Sequence, residues 1–251
     1  MILSETLGRA LSRRRPVTKP QFNGFVTDLI GSGLERSDRF GEPSPQAFLV
    51  EQPARWRLQT HFHLRHQFQV VVRGEGTLGR HPVGPRAIHY ASAHSAYGPL
   101  VAGEEGLSYL TLRVVSDTAA WYLPDAREHL KLHVAKQQVH AAPFRADGAL
   151  RHPGNGSQQE TLIALDAGGL AAWRVRLPGD ALVAAPPGEA AGSGRFYVVT
   201  EGSLHVAGEE LEGLATVFVG RDDVLALRAG ADGADVLVLQ FPAAALQPLP
   251  D

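Results

Sequence analysis

An internal repeat is the feature that most limits how this chain can fold. Residues 67–74 read Gln-Phe-Gln-Val-Val-Val-Arg-Gly, and residues 195–202, offset by 128 positions, read Arg-Phe-Tyr-Val-Val-Thr-Glu-Gly. Residues 109–114 and 235–241 form a second matching pair in the same order and at a similar offset. Two ordered matches of strand-like sequence predict an ancestral duplication in which each half is built from short strands.

The length and the turn-forming residues agree with a duplicated β protein. A chain of 251 residues accommodates two domains of about 120 residues each, and 27 Gly and 17 Pro residues allow frequent turns. We therefore expect an all-β fold of two tandem barrels, with domains at 1–128 and 129–251. Two helical segments are also expected: a short N-terminal helix over residues 4–15, capped by Ser4, and a connector helix or irregular stretch over residues 121–136.

The charge of the chain narrows the class of partner. The formal net charge is −2 and the pI is near 6.6, which gives no electrostatic reason to expect binding to nucleic acid or to an anionic membrane. No apolar run reaches the length of a membrane-spanning helix, and the first residues lack a basic segment followed by an apolar one. We expect a cytoplasmic protein whose partner is a small molecule.

A histidine pair at residues 61–67 is the strongest chemical signal. The stretch reads His-Phe-His-Leu-Arg-His-Gln and is followed after six residues by Gly74. Side chains two apart on a strand leave the same face, so His61 and His63 are expected to point together. Gln67 then enters the returning strand, where its amide oxygen can meet both rings. Because the chain has no cysteine, a metal ion here would need imidazole, carboxylate, amide or water ligands.

This spacing resembles the first sequence motif of the cupin family, with Gln67 where the family usually has Glu. The resemblance implies a bicupin of two jelly-roll barrels, with a mononuclear metal held by His61, His63 and Gln67 in the N-terminal half. Iron is the expected divalent ion, with manganese, nickel or zinc as alternatives. Neutral ligands leave the charge of the ion uncompensated, which favours a small organic anion as ligand. A homodimer is also compatible with the family. The residues expected to line the substrate pocket are Arg57, Gln59, Gln69 and Tyr97.

The second cupin motif, which supplies another histidine in the family, is altered in residues 87–99. If Ala91 stands at the proline position of that motif, the ligand position falls on Ala96. If the alignment is shifted by one residue, the ligand position falls on Tyr97 instead. His94 is close in sequence but has the opposite strand parity to Tyr97. We retain His94 as a candidate fourth ligand, Tyr97 as a ligand or pocket hydroxyl, and His89 as a weaker alternative.

The C-terminal half lacks the same ligand set. At the repeat offset, His61, His63 and Gln67 correspond to Glu189, Ala191 and Arg195. These three residues cannot form an equivalent metal site, so 129–251 is expected to be a barrel without metal ligands.

Two functions follow from the resemblance, and a third remains open. The first is a metal-dependent dioxygenase that acts on a small anionic substrate. The second is a non-catalytic binding or sensory bicupin in which the metal site is vestigial. The third is an isomerase with His63 or His94 as general base and Tyr97 as acid.

Overall fold

The computed structural model describes residues 1–32, 34–118, 120–144, 156–187 and 192–248. These residues form antiparallel β-strands in two compact units. We call Ser12–Arg145 with Ala245–Asp251 the first unit, and Met1–Leu11 with Ala146–Ala244 the second unit. Among the described residues, none of the helices has the length and apolar character needed to cross a membrane.

The strands follow one another along the chain in three groups. The second unit opens the chain with strand β1 (Ile2–Glu5) and helix α1 (Leu7–Ala10). The first unit follows with β2 (Arg15–Lys19), β3 (Phe22–Ile30), β4 (Gln46–Gln52), β5 (Arg57–Leu58), β6 (His61–Phe62), β7 (Gln67–Leu78), β8 (His81–Val83), β9 (Ile88–Ala91), β10 (Leu100–Arg113), β11 (Trp121–Tyr122) and β12 (Gln138–Ala141). The second unit continues with β13 (Gln158–Ile163), β14 (Ala171–Leu177), β15 (Leu182–Val183), β16 (Gly192–Val206), β17 (Glu209–Glu212), β18 (Thr216–Val219) and β19 (Leu227–Pro242). Short 3₁₀ turns cover Leu11–Arg13, Arg127–His129 and Ala243–Leu246.

The two sheets have equivalent strand orders. The first unit runs β12-β9-β7-β10-β4-β3-β2, and the second runs β1-β18-β16-β19-β14-β13, so that the first six strands correspond one to one. In the central pairs, Phe68 lies opposite Leu112 and Phe196 lies opposite Leu239. The structure thus shows the duplication expected from the repeat, and the predicted all-β jelly-roll class is confirmed.

A glycine explains why the repeat ends on the same residue in both halves. Gly74 and Gly202 both have positive φ angles, +75° and +67°. A Cβ atom at either position would collide with a carbonyl oxygen of the neighbouring long strand, that of Gly106 or of Gly233. Each glycine therefore combines a left-handed conformation with a close backbone approach that only glycine allows.

The strand alternation divides each unit into an inner apolar core and a polar opening. In the first unit, Val71, Leu107 and Tyr109 belong to the buried cluster. Further along the same faces of β7 and β10 come Gln67, Gln69, Thr111 and Arg113, which are all buried polar residues. A buried polar group needs a hydrogen-bond partner, so this end of the unit is where a site is expected.

The N-terminal helix is shorter than the sequence indicated, and its predicted cap is wrong. Residues 2–5 form β1, in which Ser4 lies opposite Val217 of β18. The helix covers only Leu7–Ala10, and the Thr6 hydroxyl, not Ser4, accepts the N–H of Arg9 at 3.3 Å. Pairing with β18 on one side gives residues 2–5 backbone hydrogen bonds to a neighbouring strand, which outweigh the helical pattern of their side chains.

The connector is likewise not an extended helix. Within residues 121–136 the structure has β11 and the 3₁₀ turn Arg127–His129. Pro124 has no N–H to donate, so it cannot lie inside a longer helix at this position. The connector leads to β12, which pairs with β9 and so keeps residues up to 144 with the first unit, whereas the sequence-based boundary follows residue 128.

Candidate functional site

The histidine motif and the altered second motif meet across a short antiparallel bridge. His61 N–H donates to the Tyr97 carbonyl at 3.1 Å, and Tyr97 N–H donates to the His61 carbonyl at 2.9 Å. The bridge places the two rings 4.5 Å apart, and the His63 ring lies 5.3 Å from that of His61. The structure therefore brings His61, His63 and Tyr97 together.

Hydrogen bonds fix the protonation of His61. Its Nδ1 lies 2.7 Å from the Gln59 carbonyl oxygen, so Nδ1 carries the proton. Its Nε2 then accepts the Tyr97 hydroxyl at 3.0 Å. Burial lowers the pKa of His61 to about 4, which keeps the ring neutral at pH 7.

A buried arginine, Arg113, lies at the centre of this group. Its Nε and one terminal nitrogen donate to the Gln67 amide oxygen at 3.3 and 2.9 Å. The same terminal nitrogen also donates to His63 Nδ1 at 3.1 Å. The other terminal nitrogen donates to Gln46 Oε1 at 2.7 Å and to the Asp117 carbonyl at 2.9 Å. All five guanidinium N–H bonds therefore have an acceptor, which explains how a cation can be accommodated here although burial lowers its pKa.

Gln67 connects the arginine to the tyrosine. Its amide oxygen accepts from Arg113, and its amide NH₂ donates to the Tyr97 hydroxyl. That hydroxyl in turn donates to His61 Nε2, so the chain of donors and acceptors is consistent from Arg113 to His61. Burial raises the pKa of Tyr97, so the phenol stays protonated.

This arrangement does not fit a divalent metal ion. The lone pairs expected to bind the metal are already used: His61 Nε2 accepts from Tyr97, while His63 Nδ1 and the Gln67 oxygen accept from Arg113. Asp117 Oδ2 lies 4.0 Å from His63 Nδ1 and accepts the Leu64 N–H at 3.1 Å. No group of three metal-ligating side chains is found among the described residues. A metal here would also be repelled by the guanidinium.

The network forms one wall of a cavity of about 360 Å³ in the first unit. His61, His63, Gln69 and Tyr97 line this cavity, as does Arg113, while Gln67 is absent from the lining and lies against Arg113 and Tyr97. The remaining lining residues with charge or aromatic rings are Arg15, Lys19, Asp117, Phe22, Phe48, Tyr109 and Tyr122.

Two of the predicted pocket residues lie elsewhere. Arg57 and Gln59 are exposed and do not line the cavity. Residues 57–63 do not form one continuous strand, because Gln59 and Thr60 separate β5 from β6. The break changes the strand parity, so the side chains of Arg57 and Gln59 face solvent while His61 faces inward.

The other candidate histidines also stand apart from the cavity. The His94 ring stacks on Phe62 with centroids 5.6 Å apart, and its Nδ1 accepts the Lys131 N–H at 3.3 Å. His89 is buried and contacts the cavity wall from behind, with Nδ1 3.0 Å from Gln69 Oε1. Neither ring lines the cavity.

Arg113 and Asp117 are the residues that the sequence analysis missed. The available signal was the alternation of Tyr109, Thr111 and Arg113 with Leu110 and Leu112, which places a charge on the inner face of a strand. In the second half, Glu189 and Ala191 lie outside the described residues, and Arg195 is partly buried near the start of β16.

The comparisons with known proteins agree with this fold. No family model and no curated protein matches the sequence. Among solved structures, pirin from Escherichia coli in complex with nickel(II) is 14% identical, with 96% of this chain and 99% of that chain covered and a TM-score of 0.55. Salicylate 1,2-dioxygenase from Pseudoaminobacter salicylatoxidans with gentisate is 12% identical, with coverages of 96% and 81% and a TM-score of 0.56.

A storage protein is equally similar. Pumpkin seed globulin is 13% identical, with 92% of this chain and 85% of that chain covered and a TM-score of 0.56. Identities this low show the fold, which oxidising enzymes and storage proteins share. The strand order, the histidine motif and these likenesses together identify the chain as a protein of the cupin fold.

Proposed function

We propose that the first unit binds a small organic anion with an aromatic or apolar body, and that it does so without a resident metal ion. The observation that carries the proposal is Arg113, whose guanidinium takes the lone pairs of His63 and Gln67. The Arg113 guanidinium, a cation that the protein itself supplies, therefore lies beside the side chains that the family motif implies as metal ligands.

The charges around the cavity support an anionic ligand. Arg15, Lys19 and Arg113 line it together with a single carboxylate, Asp117, and the buried His61 is neutral. A cavity with an excess of cationic side chains attracts anions, and walls of low dielectric strengthen that attraction.

The walls support a ligand with an apolar body. Phe22, Phe48, Tyr97, Tyr109 and Tyr122 all line the cavity, and aromatic rings favour stacked or edge contacts with a flat ligand. A volume of about 360 Å³ is within the range of small-molecule pockets. An aromatic carboxylate combines both features.

Binding of 4-nitrobenzoate tests this proposal. In a Trp173→Phe variant, the remaining tryptophans are Trp56 and Trp121, both in the first unit. We expect saturable quenching of their fluorescence by 4-nitrobenzoate, because the nitroaromatic group would lie within the same unit. Lys19→Glu should weaken binding about three- to tenfold by reversing an exposed charge that lines the cavity.

The matched control is Arg80→Glu, which makes the same change of charge at an exposed residue outside the cavity lining. It should leave the affinity within about twofold. The neutral analogue 4-nitrobenzyl alcohol should bind more weakly than the anion. Equal quenching by the two compounds, or equal effects of the two charge reversals, would contradict the proposal.

A metal-dependent dioxygenase is the second candidate, because His61, His63 and Tyr97 do converge on one cavity. The likeness to a salicylate dioxygenase and to a nickel-bound pirin supports it at the level of the fold.

Elemental analysis separates the two candidates. We expect purified protein to carry less than about 0.1 equivalent of iron, manganese, nickel or zinc, because every predicted ligand atom has another partner. About one equivalent of iron that is lost in His61→Ala would instead support the dioxygenase.

A further inference from the structure

The second unit carries the same arginine and glutamine pair as the first, with the two residues exchanged between strands. In the first unit, Gln67 is at the start of β7 and Arg113 is at the end of β10. In the second, Arg195 occupies the position equivalent to Gln67 on β16, and Gln240 of β19 lies opposite it. The central strands of both units therefore place a guanidinium at the same end of the barrel.

The exchange changes how many donors of the arginine are used. Arg195 Nε donates to the Gln240 amide oxygen at 2.8 Å, and one terminal nitrogen donates to the Pro186 carbonyl at 2.8 Å. A guanidinium has five N–H bonds, and all five of Arg113 have acceptors. The Tyr197 hydroxyl accepts a third N–H bond of Arg195, so two remain without an acceptor among the described residues.

Arg195 faces a cavity of about 370 Å³ in the second unit. Among the described residues, the other charged ones in the lining are Arg221 and Asp223, and Asp223 forms an ion pair with the terminal amine of Met1. Arg221 is exposed and lies 3.6 Å from Asp222. The charge of Arg195 is therefore not compensated by a carboxylate within the described part of the chain.

Apart from Gln240 and Tyr197, the other described residues of the lining are apolar or glycine. Ala184, Pro187, Val219 and Leu225 contribute to it, and Tyr197 lies next to the guanidinium. Burial raises the pKa of Tyr197, and the hydrogen bond and charge of Arg195 oppose that rise, so the phenol is protonated and can still donate its own proton to a ligand.

We propose that the second unit contains an anion-binding site of its own, which takes a small carboxylate with an apolar body. The carboxylate accepts the two remaining N–H bonds of Arg195 in a two-point contact, and the body packs on the apolar wall. This site differs from that of the first unit in that its arginine contacts the ligand directly. It does not depend on whether the first unit binds an anion.

Trp173 is a built-in reporter for this site. The Arg195 guanidinium carbon lies 5.6 Å from the centre of its ring, and Trp173 is buried. In a Trp56→Phe/Trp121→Phe variant it is the remaining tryptophan. We expect 4-nitrobenzoate to quench it saturably, and Arg195→Gln to weaken this binding about tenfold or more, since the charged two-point contact is lost.

Three controls make the result specific. Arg221→Gln removes an exposed cation from the same cavity and should change the affinity by less than about threefold. Arg113→Gln should leave Trp173 quenching unchanged, so failure of the first site does not affect this test. Calorimetry on the chain with all three tryptophans should show one site fewer for 4-nitrobenzoate in Arg195→Gln than in the parent chain, whether or not the first unit binds the anion. Quenching that is equal for 4-nitrobenzyl alcohol, or unchanged in Arg195→Gln, would overturn the proposal.

Discussion

The first unit is expected to lose several kcal/mol of stability as the pH falls from 6.5 to 4. Burial lowers the pKa of both His61 and His66 to about 4 from the ordinary value of 6.5, and lowers that of His89 well below 6.5. Between these pH values the unfolded chain binds protons that the folded chain does not, so the free energy of unfolding falls with falling pH. Each pKa unit corresponds to about 1.4 kcal/mol, giving roughly 3 kcal/mol for the buried His61 and less for His66, whose side chain is only partly buried.

The stability that these histidines contribute is fully present above about pH 6.5, where the rings are neutral in both the folded and the unfolded chain. Urea unfolding of the Trp173→Phe variant, followed by tryptophan fluorescence at several pH values, measures it in the first unit. His66→Gln should flatten the profile by up to about 1.4 kcal/mol per pH unit, because one buried titrating ring is removed. His205→Gln, in the second unit, is the matched control and should leave the profile as it is. A stability that stays constant from pH 6.5 to 4.5 would show that the rings are not buried in the neutral form.

The sequence predicted the fold well because a repeat combines many weak signals. Phe68 and Phe196, with the closing Gly74 and Gly202, occupy equivalent sites whose geometry allows little variation. The association of His61 with His63 followed from strand parity, which acts over a few residues and can be read locally.

The rest of the site depends on contacts that the local pattern does not contain. The break between β5 and β6 reverses the parity of Arg57 and Gln59, and a single sequence gives no sign of where a strand is interrupted. Arg113 is 46 residues from Gln67 in the chain, and its role follows only from the pairing of β7 with β10. A comparison of the two halves would have indicated the role of Arg113. Gln67 and Arg113 of the first half correspond to Arg195 and Gln240 of the second, so an arginine and a glutamine recur at the same two positions in opposite order.

Arg113→Met is expected to destabilise the first unit by roughly 3–5 kcal/mol. The substitution keeps an apolar stem but removes the donors that Arg113 supplies to Gln67 Oε1, His63 Nδ1, Gln46 Oε1 and the Asp117 carbonyl. Of these acceptors, Gln46 Oε1 keeps the Asp117 N–H at 3.4 Å. A buried acceptor left without a donor costs about 1–3 kcal/mol, and some acceptors will find water. Urea unfolding of the Trp173→Phe variant, with and without the substitution, measures the difference.

The exposed Arg57 provides the comparison, since Arg57→Met should change the stability by less than about 0.5 kcal/mol. The Arg113→Met variant also tests whether the Arg113 guanidinium excludes a metal ion. Without Arg113, the lone pairs of His63 and Gln67 are released beside His61, so millimolar nickel should raise the stability of Arg113→Met and leave that of the parent unchanged. If nickel stabilises both proteins equally, the ion binds with Arg113 present, and the metal-free description of this cavity is wrong.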